Sequence, residues 1–576
     1  MADCDILIRG GTIVDGSGGE PFEGDVAIRE GRIVHAGPDY AGNAGQVIDA
    51  TGLIVTPGFV DIHTHYDGQA TWSEELSPSS AHGVTTVVTG NCGVGFAPCR
   101  PEDREALIEV MEGVEDIPGV VMADGLPWNW ETFPEYLDAL EAGKRDIDVA
   151  AFLPHSPLRV YAMGKRGLAR EPATEADLAR MQELTREALD AGALGFASSR
   201  LMIHKTLAGE QIPSYDADSS EVSAIAEAMQ AEDKGLIQIV LDVPMRSWRE
   251  ELEPMIAVAE RTGRPLTYTL GLPNDDNRNW DPALELSSEA NARGVEVWPQ
   301  ILPRPIGMIS GWDLSTHPFC LCPSWLAMKD LPLDEKLERL ASDEMRERLI
   351  AEEPAAGHPL AMMTRAWDWI FPLGDEPDYE PSSENSIAAL AQAQERSPEA
   401  VAYDALMNDG AGDGMLYIAL GNLHRGSLDE VLALMQRDDV LLGLGDGGAH
   451  YSAICDASYS TFTLTHWVRD REGDKLSLAE AVERLAARPA RAALLNDRGR
   501  IAPGYKADVN VIDLDALRVH RPVIRRDLPG GGRRLDQGAT GYVATICGGE
   551  IIRRNDEATG ARPGKLVRGA QPEPVA

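Results

Sequence analysis

The chain has 576 residues, of which 43% are hydrophobic, and it carries a formal net charge of −41 from 52 Lys+Arg against 93 Asp+Glu. This length and apolar content predict one large domain with a smaller appended one. The excess of carboxylates opposes non-specific binding to nucleic acid or to an anionic membrane surface, so we expect neither as a partner.

The distribution of apolar residues and cysteines favours a cytoplasmic location. No apolar run approaches the ~18 residues needed to span a bilayer. The opening segment, MADCDILIRGG, lacks the basic stretch and the apolar run of a signal peptide. The seven cysteines are an odd number scattered along the chain, which indicates reduced thiols. We expect a small-molecule ligand, and homo-oligomerisation stays open.

Short β-rich runs separated by glycine-containing turns occur at both ends of the chain. Near the start they are residues 6–8, 12–14, 26–28 and 33–34, with Gly10-Gly11 as one of the turns. Near the end they are residues 507–512 and a hairpin of residues 542–546 and 550–552. Since so small a meander buries little core alone, we predict that residues 1–56 and 496–576 combine into one small β-sandwich domain.

Apolar strand-like runs alternate with amphipathic helical stretches through residues 57–495. The eight runs are residues 60–62, 84–88, 149–153, 193–197, 236–241, 266–270, 294–301 and 440–444. The helical stretches include residues 102–113, 174–191, 219–234, 248–262 and 287–293. Near-continuous apolar strands alternating with helices predict a buried parallel sheet, and eight such units predict an α/β fold of the (β/α)₈ TIM-like barrel type.

Two further features bear on this fold. A doubly wound open sheet is the alternative, although no GxGxxG motif follows an early strand to support a dinucleotide site. Residues 302–435 contain more helix than one strand–helix unit needs. We predict that they form a helical insertion, a candidate lid over the barrel mouth.

The strongest chemical motif is PGFVDIHTH at residues 57–65. His63 and His65 stand two residues apart, so on a strand both side chains project to the same face. At the carboxyl end of a barrel strand, two imidazoles on one face can bind a metal ion. A buried, hydrogen-bonded structural pair is the alternative that this spacing alone leaves open.

Two other strand ends carry residues that can bind a metal. Cys92 follows the run at 84–88 within GNCG, and a thiolate suits a soft or borderline metal, although a buried free thiol is the alternative. Asp446 follows the run at 440–444 within GDGG, where it can ligate an ion and accept a proton from water. A turn aspartate is the alternative there.

Polar residues at other strand ends are weaker candidates. His155 and Arg159 follow the third run in LPHSPLR, and His450 lies just beyond Asp446. His204, Asp242 and Arg304 occupy similar positions. The pair Cys320 and Cys322 has no second cysteine pair nearby, so we interpret it as structural rather than as a zinc knuckle.

Six segments, in their order along the chain, carry a family resemblance. They are DILIRGGTIVDGSG (5–18), PGFVDIHTH (57–65), GVTTVVTGNCG (83–93), GALGFASS (192–199), GRIAPGYKAD (499–508) and TGARPGKLVRG (559–569). Together they resemble the amidohydrolase superfamily in its N-acyl-D-amino-acid deacylase, or D-aminoacylase, branch. The resemblance implies a metal-dependent hydrolase with a (β/α)₈ barrel and a β-sandwich built from both chain ends.

The resemblance also implies site residues, and this sequence departs from the family pattern. His63, His65 and Asp446 match one metal position, and Cys92 matches a second, tighter zinc position that the family completes with histidines on strands five and six. Here Val240 and the apolar residue Leu270 stand in place of those histidines, and residues 205–316 contain no histidine.

The positions that bind the substrate carboxylate in the family also differ. Leu272 takes the place of a lysine, and Trp298-Pro299-Gln300 takes the place of Tyr-Pro-Tyr. We therefore expect a larger or less charged amide as substrate. The residues predicted to contact it are His155, Arg159, Trp298, Gln300 and His450.

Because valine and leucine cannot ligate zinc, we predict one divalent ion per chain, Zn²⁺, bound by His63, His65 and Asp446 with Cys92 as a further donor. Water activated by this ion would hydrolyse the amide of an N-acyl amino acid-like substrate, with Asp446 as the catalytic base. Two alternatives stay open. The same ion could serve cleavage of a lactone, an ester or a C–C bond, or the barrel could bind a ligand without catalysis.

Overall fold

The computed structural model describes residues 2–243, 245–355 and 359–575 of the chain. Its first strands are β1 (Cys4–Ile13), β2 (Phe22–Arg29), β3 (Arg32–Gly37), β4 (Ala44–Asp49) and β5 (Ile54–Pro57). Sequence analysis predicts a turn at Gly10-Gly11, but these glycines lie inside β1, where the pairing with β2 shifts register. Gly10 has φ of +68°, a conformation that glycine adopts without strain. The glycine pair therefore bends one strand instead of separating two.

The eight strands that follow pair only in parallel. They are β6 (Phe59–Asp61), β7 (Val84–Thr89), β8 (Asp148–Ala151), β9 (Leu153–Pro154), β10 (Gly195–Ser199), β11 (Leu236–Val240), β12 (Leu266–Thr269) and β13 (Val297–Ile301). Most of their residues are buried, as the apolar runs predict for strands covered on both faces.

Helices connect these strands. They are α1 (Gln69–Trp72), α2 (Arg104–Glu115), α3 (Gly119–Gly125), α4 (Phe133–Ala142), α5 (His155–Met163), α6 (Lys165–Leu168), α7 (Glu175–Ala191), α8 (Ser219–Glu232), α9 (Trp248–Thr262) and α10 (Asp281–Ala292). α4, α7 and α9 each begin with a capping box, at Thr132, Thr174 and Ser247 respectively. Such boxes satisfy amide groups at the helix start, so the strand–helix alternation is encoded locally.

The predicted insertion contains a sheet as well as helices. Its strands are β14 (Ile306–Ser310), β15 (Ile370–Leu373) and β16 (Met415–Gly421), with β16 antiparallel to the other two. Its helices are α11 (Pro323–Leu326), α12 (Leu333–Leu340), α13 (Asp343–Ala351), α14 (Pro359–Met363), α15 (Ile387–Ala393) and α16 (Pro398–Met407). Trp312, Phe319, Trp325 and Tyr403 belong to its own apolar cluster.

The chain then returns to the parallel strands through α17 (Asp429–Met435) and β17 (Leu441–Leu442), which pairs with β13. β6-β7-β8 and β9-β10-β11-β12-β13-β17 thus form two parallel sheets in chain order. Phe152 joins them, because it lies between β8 and β9 and its N–H donates to Thr89 O at 2.9 Å. At the opposite edges, His65 N–H donates to Gly447 O at 2.8 Å and Asp446 N–H donates to His63 O at 3.1 Å.

Longer helical segments follow β17, after a short 3₁₀ turn at Asp456–Ser458. They are α18 (Tyr459–Phe462), a π-helix (Thr463–Asp470), α19 (Leu478–Leu485) and α20 (Ala487–Ala492). Among the described residues, no helix combines the length and the apolar character needed to cross a membrane.

The last eight strands are β18 (Val509–Ile512), β19 (Arg518–Val519), β20 (Val523–Arg525), β21 (Arg534–Asp536), β22 (Ala539–Thr540), β23 (Tyr542–Cys547), β24 (Glu550–Arg554) and β25 (Glu557–Ala558). β18 pairs with β5, so strands from both chain ends form one nine-stranded sheet. The predicted hairpin is confirmed as β23 and β24.

Sequence analysis does not anticipate the path of the tail. Val149 N–H donates to Lys565 O at 3.0 Å and Val567 N–H donates to Val149 O at 2.8 Å, so the tail pairs alongside β8.

Candidate metal centre

Side chains from three separate strand ends meet here: the donor atoms of His63, His65 and Cys92 form one group, and Asp446 lies beside the two histidines. Cys92 Sγ lies 3.4 Å from His63 Nε2 and 3.9 Å from His65 Nε2. Asp446 Oδ1 lies 3.7 Å from the same atom of His63 and 3.5 Å from that of His65. The two histidines and Cys92 are buried, whereas the Asp446 side chain is 21% exposed. The group is therefore open to solvent on the Asp446 side.

The histidine segment is fixed by the residue that ends β6. Asp61 Oδ1 accepts the N–H of His63 at 3.1 Å, so the backbone leaves the strand in a fixed direction. A side chain at Gly445 would run into the other carboxylate oxygen of Asp61. The last strand thus approaches this closely only because residue 445 is a glycine. Burial raises the pKa of Asp61 to about 8.

Cys92 and Asp446 both adopt left-handed backbone conformations, with φ of 55° and 47°. Such conformations cost of order 1–3 kcal/mol each in a residue with a Cβ and cluster at functional sites. The Cys92 N–H donates to Gln238 Oε1 at 3.1 Å, which fixes the turn against β11. The packing of this turn therefore directs the thiol toward the histidines.

Gln300 holds one histidine in place. Its Oε1 lies 3.0 Å from His63 Nδ1, and its amide nitrogen donates to Thr267 Oγ1 at 2.8 Å. A carbonyl oxygen only accepts hydrogen bonds, so His63 carries its proton on Nδ1 and leaves Nε2 free to act as a ligand. Gln300 was predicted to contact substrate, whereas here it orients a candidate ligand.

Glu115 supports the other histidine. Its carboxylate lies 3.4 Å from His65 Nδ1 on one side and 3.6 Å from His450 Nε2 on the other. His450 is 23% exposed and its backbone N–H donates to the Glu115 carbonyl. Glu115 at the end of α2 therefore links a buried histidine of the centre to one at its solvent edge.

Burial and neighbouring charges set the protonation states of these four side chains. Burial lowers the pKa of His63 to about 4 and raises the pKa of Cys92 to about 12. Burial also opposes the charged form of His65, but Glu115 and Asp446 outweigh it and raise the pKa of His65 well above its ordinary value. For Asp446, burial is outweighed by the two histidines, and its pKa lies below the ordinary range. Since metal ligands must be deprotonated, binding of an ion would displace protons from His65 and Cys92.

The spacing of His63, His65 and Cys92, with Asp446 beside the two histidines, fits one divalent ion. Zinc binds nitrogen at about 2.0–2.1 Å and sulfur at about 2.3 Å, which separates the donors of a tetrahedral ion by about 3.3–3.8 Å. The four distances given above run from 3.4 to 3.9 Å. In the part of the chain that the structure describes, no other three His, Cys, Asp or Glu side chains converge in this way.

His155 and Arg159, both predicted to contact substrate, lie in a different network. His155 Nδ1 pairs with Ser198 Oγ at 2.8 Å, and its Nε2 lies 3.3 Å from Glu221. Arg159 donates to the same Glu221 at 3.0 Å. Both side chains are fully buried, because His155 begins α5 and turns against α8. They are therefore not part of the group of four.

Trp298, also predicted to contact substrate, packs among apolar residues instead. It belongs to the apolar cluster that contains Leu441 and Leu494, and its ring lies under the guanidinium of Arg491, 5.4 Å away. Arg491 is on α20, which contacts β6 and β17.

Val240 and Leu270 are buried apolar residues, as expected from the sequence. The polar side chains that reach the centre from β11 and β13 are instead Gln238 and Gln300.

Glu115 was missed by sequence analysis, yet its position in the helix carries a signal. Leu107, Val110, Met111 and Val114 form the buried stripe of α2, and Glu115 continues that stripe with only 1% exposure. An acidic residue is rarely buried without a partner. A carboxylate on the apolar face of a helix therefore indicates a buried cation or histidine nearby.

Comparison with known proteins assigns the chain to a family. A model of the amidohydrolase family matches residues 46–553. The chain therefore belongs to the amidohydrolase family.

Named relatives are similar to parts or to all of the chain. The N-acyl-D-aspartate deacylase of Alcaligenes xylosoxydans xylosoxydans is 39% identical over 198 residues, which are 34% of this chain and 37% of that protein. The D-aminoacylase of the same organism is 30% identical over 309 residues, 52% of this chain and 57% of that protein. The matches to these two relatives thus span well under two thirds of their lengths.

A solved structure is similar over nearly the whole chain. It is the N-acyl-D-glutamate deacylase from Bordetella bronchiseptica, complexed with zinc and a phosphonate inhibitor that mimics the tetrahedral intermediate. It is 25% identical with a TM-score of 0.63, covering 98% of this chain and 99% of that one. Together these relatives confirm the resemblance to the N-acyl-D-amino-acid deacylase branch.

Proposed function

We propose that this chain is a metal-dependent amidohydrolase that cleaves the amide bond of an N-acyl amino acid or a larger, less polar relative of it. The observation that carries the proposal is the convergence of His63, His65, Cys92 and Asp446, with donor distances of 3.4 to 3.9 Å and access to solvent at Asp446. Membership of the amidohydrolase family and the named deacylase relatives support it.

The proposal includes a closed (β/α)₈ barrel as the catalytic domain. Two observations support closure. β8 and β9 run on through Phe152, which pairs with Thr89 of β7, and the segments after β6 and β17 are hydrogen-bonded to each other. The domain would comprise residues 57–495, with residues 302–435 as an insertion. Residues 1–56 and 496–576 would form the second, β-sandwich domain. Barrel enzymes carry their sites at the carboxyl ends of the strands, which is where the four donors lie.

The centre would hold one Zn²⁺ ion per chain through His63 Nε2, His65 Nε2, Cys92 Sγ and Asp446 Oδ1. Such an ion supplies a Lewis acid for a carbonyl oxygen and lowers the pKa of water. Three ligands with an open position are typical of catalytic zinc, whereas four protein ligands are typical of structural zinc. Because Asp446 is the exposed member of the set, substrate or water could replace its carboxylate on the ion.

Asp446 would act as the base. Its carboxylate faces solvent beside two imidazoles that keep its pKa low, so it is ionised at neutral pH and can accept a proton from the attacking water. Return of that proton to the leaving nitrogen would release the amine. A carboxylate in this role increases the reaction rate roughly 10²–10⁴-fold.

The test begins with metal content. Elemental analysis of the wild-type chain is expected to give about one ion per chain, as for a single site with one set of ligands. A His63→Ala/His65→Ala double variant should lose it. The matched control is His317→Ala. This variant removes a buried histidine of the insertion that is not paired with any acidic residue of the centre. No ion in the wild type, even after incubation with zinc, manganese or iron, would refute the proposal.

The second step identifies the bond. Metal-loaded protein is assayed on both enantiomers of N-acetyl and longer N-acyl amino acids, on cyclic amides, and on lactones and esters. Cleavage confined to the acyclic amides supports the proposed function. Turnover of lactones or esters alone would contradict it, even with the ion in place.

A further inference from the structure

His204 lies in the loop that follows β10, at the carboxyl end of the parallel strands, where the candidate ligands also lie. It belongs to the loop between β10 and α8, and its backbone N–H closes a tight turn onto Leu201 O at 3.0 Å. β10 itself abuts the turn that carries Cys92, because a Cβ added at Gly93 would lie only 2.7 Å from the Cα of Ser198. The end of β10, and the turn that follows it, are thus brought against the centre by backbone packing.

The ring of His204 is held by the last residue of β10. Ser199 Oγ lies 2.8 Å from His204 Nδ1 and also accepts the N–H of Leu201 at 3.2 Å. Ser199 is fully buried, so its single hydroxyl proton needs a partner. Donation of that proton to Nδ1 satisfies both groups and leaves the imidazole proton on Nε2.

Nε2 of His204 is free to meet a ligand. Among the described residues it has no hydrogen-bond partner, and the side chain is half-buried. The loop is also fixed on its far side, because Gly113 in α2 packs so closely against residues 205–206 that no side chain fits there. The same helix carries Glu115 beside His65 and His450. The loop therefore bridges from β10 to the helix that supports the centre.

The surroundings of His204 favour its neutral form. Burial, and then the charges of His450 and His65, lower the pKa of His204 to about 3. The charge of His63 also lowers this pKa, whereas that of Asp446 raises it. The ring is thus neutral at pH 7 and can donate a hydrogen bond without carrying charge. It does not join the His63, His65 and Cys92 group of converging donor atoms.

We infer that His204 is a catalytic residue whose Nε2–H donates a hydrogen bond to the oxygen of the scissile amide. This inference rests on the proposed amide hydrolysis and deepens it by naming a second group that stabilises the developing negative charge. Donors aimed at such an oxygen act most strongly in the transition state. The role requires no proton transfer from His204, so its neutral ring suffices.

The test compares two substitutions with a matched control. His204→Phe keeps a planar ring and removes the donor, whereas His204→Gln keeps an N–H group at nearly the same reach. Ile203→Ala changes the neighbouring exposed residue of the same turn. For each variant, metal content, kcat and KM on the best amide, and the Kd of a methylphosphonyl derivative of leucine by calorimetry are measured. The phosphonyl group presents tetrahedral oxygens like those of the intermediate.

We expect His204→Phe to retain its metal, to lose about 10²–10³ in kcat with little change in KM, and to bind the phosphonyl compound correspondingly more weakly. His204→Gln should recover a large part of both losses, and Ile203→Ala should match the wild type. Unchanged kcat and phosphonyl affinity in His204→Phe would overturn the inference. Equal defects in the Gln and Phe variants, or loss of metal from either, would also overturn it.

These outcomes separate the two proposals. If the metal-loaded wild type cleaves no amide but binds the phosphonyl compound in a manner that depends on His204, the proposed reaction fails and the assignment of His204 as an oxygen-directed donor stands. If amides are cleaved and His204→Phe is fully active, only the His204 assignment fails. If the wild type neither cleaves amides nor binds the phosphonyl compound, both are rejected.

Discussion

Gln300 Oε1 lies 3.0 Å from His63 Nδ1, a hydrogen bond that joins β13 to the segment after β6 across the parallel strands. Thr267 on β12 holds the other end of the same amide at 2.8 Å. The orientation of His63 therefore depends on two strands that supply no candidate ligand themselves. Groups of this kind fix the tautomer and direction of a ligand and tune its affinity for metal.

Substitution of Gln300 should weaken metal binding without unfolding the chain. Gln300→Leu removes the acceptor of the His63 Nδ1 proton, so we expect the metal affinity to fall about 10- to 100-fold. Competition with a chromophoric chelator measures this affinity. Gln182→Leu is the control, because Gln182 bonds only Ala224 O on a neighbouring helix. Equal affinity in the two variants would show that Gln300 does not orient the ligand.

Two buried glutamates allow a sharper comparison. Glu115 faces His65 and His450, whereas Glu221 faces His155 and Arg159. Glu115→Gln removes the carboxylate behind a candidate ligand, so we expect the metal affinity to fall by at least about tenfold.

Glu221→Gln leaves the metal centre intact but removes the carboxylate that pairs with the buried Arg159. It should lower the free energy of unfolding by roughly 3–5 kcal/mol and leave metal affinity unchanged. Chemical denaturation and chelator competition on both variants check this pair of outcomes. A Glu221 variant that loses metal would mean that the two networks are coupled.

The proposed base predicts a specific kinetic pattern. Asp446→Asn keeps an oxygen that can contact an ion but cannot accept a proton, so kcat should fall about 10²–10⁴-fold at equal metal content. KM should change little, since the substrate keeps its other contacts. Asp439→Asn is the control, because Asp439 precedes β17 and pairs with Arg437 away from the centre. Parallel losses in kcat and in folded fraction would argue against a role as base.

The parallel strands could be predicted because apolar runs depend on local sequence, and the ends of these strands indicate the candidate ligands. Apolar runs predict strands, and a strand end places His63, Cys92 or Asp446 at one edge whatever the details of packing. The bend at Gly10 could not be separated from a turn, since glycine serves both. Pairing of the tail with β8 depends on contacts more than 400 residues apart in sequence, between Val149 and Lys565, and no local pattern encodes it.

The supporting residues were harder to predict for a related reason. His155 and Gln300 both follow or end strands, so sequence assigns them the same role. The structure separates them, because His155 begins a helix and turns into the Glu221 network, while Gln300 remains on its strand and reaches His63. The difference depends on the direction of one side chain, which strand spacing does not determine.

Glu380 links the insertion to the helical segment after β17, and we predict that this contact is sensitive to acid. Its carboxylate accepts hydrogen bonds from Arg471 at 2.9 Å and from His466 at 2.7 Å, and from the Leu428 N–H at 2.8 Å. Burial opposes its ionisation, but these partners outweigh burial and lower the pKa of Glu380 to about 2.

The folded-state pKa of Glu380 lies below the ordinary value of 4.5, so the unfolded chain binds its proton first as pH falls. The stabilisation is therefore complete above about pH 4.5 and is lost between about pH 4.5 and pH 2. Glu380→Gln should have a lower free energy of unfolding than the wild type at pH 6, with the difference shrinking as pH falls through that range. Glu376→Gln, at an exposed position of the same segment, is the control. Denaturant titrations at a series of pH values measure the difference, and a gap that stays constant with pH would show that the Glu380 carboxylate is not stabilised by its partners.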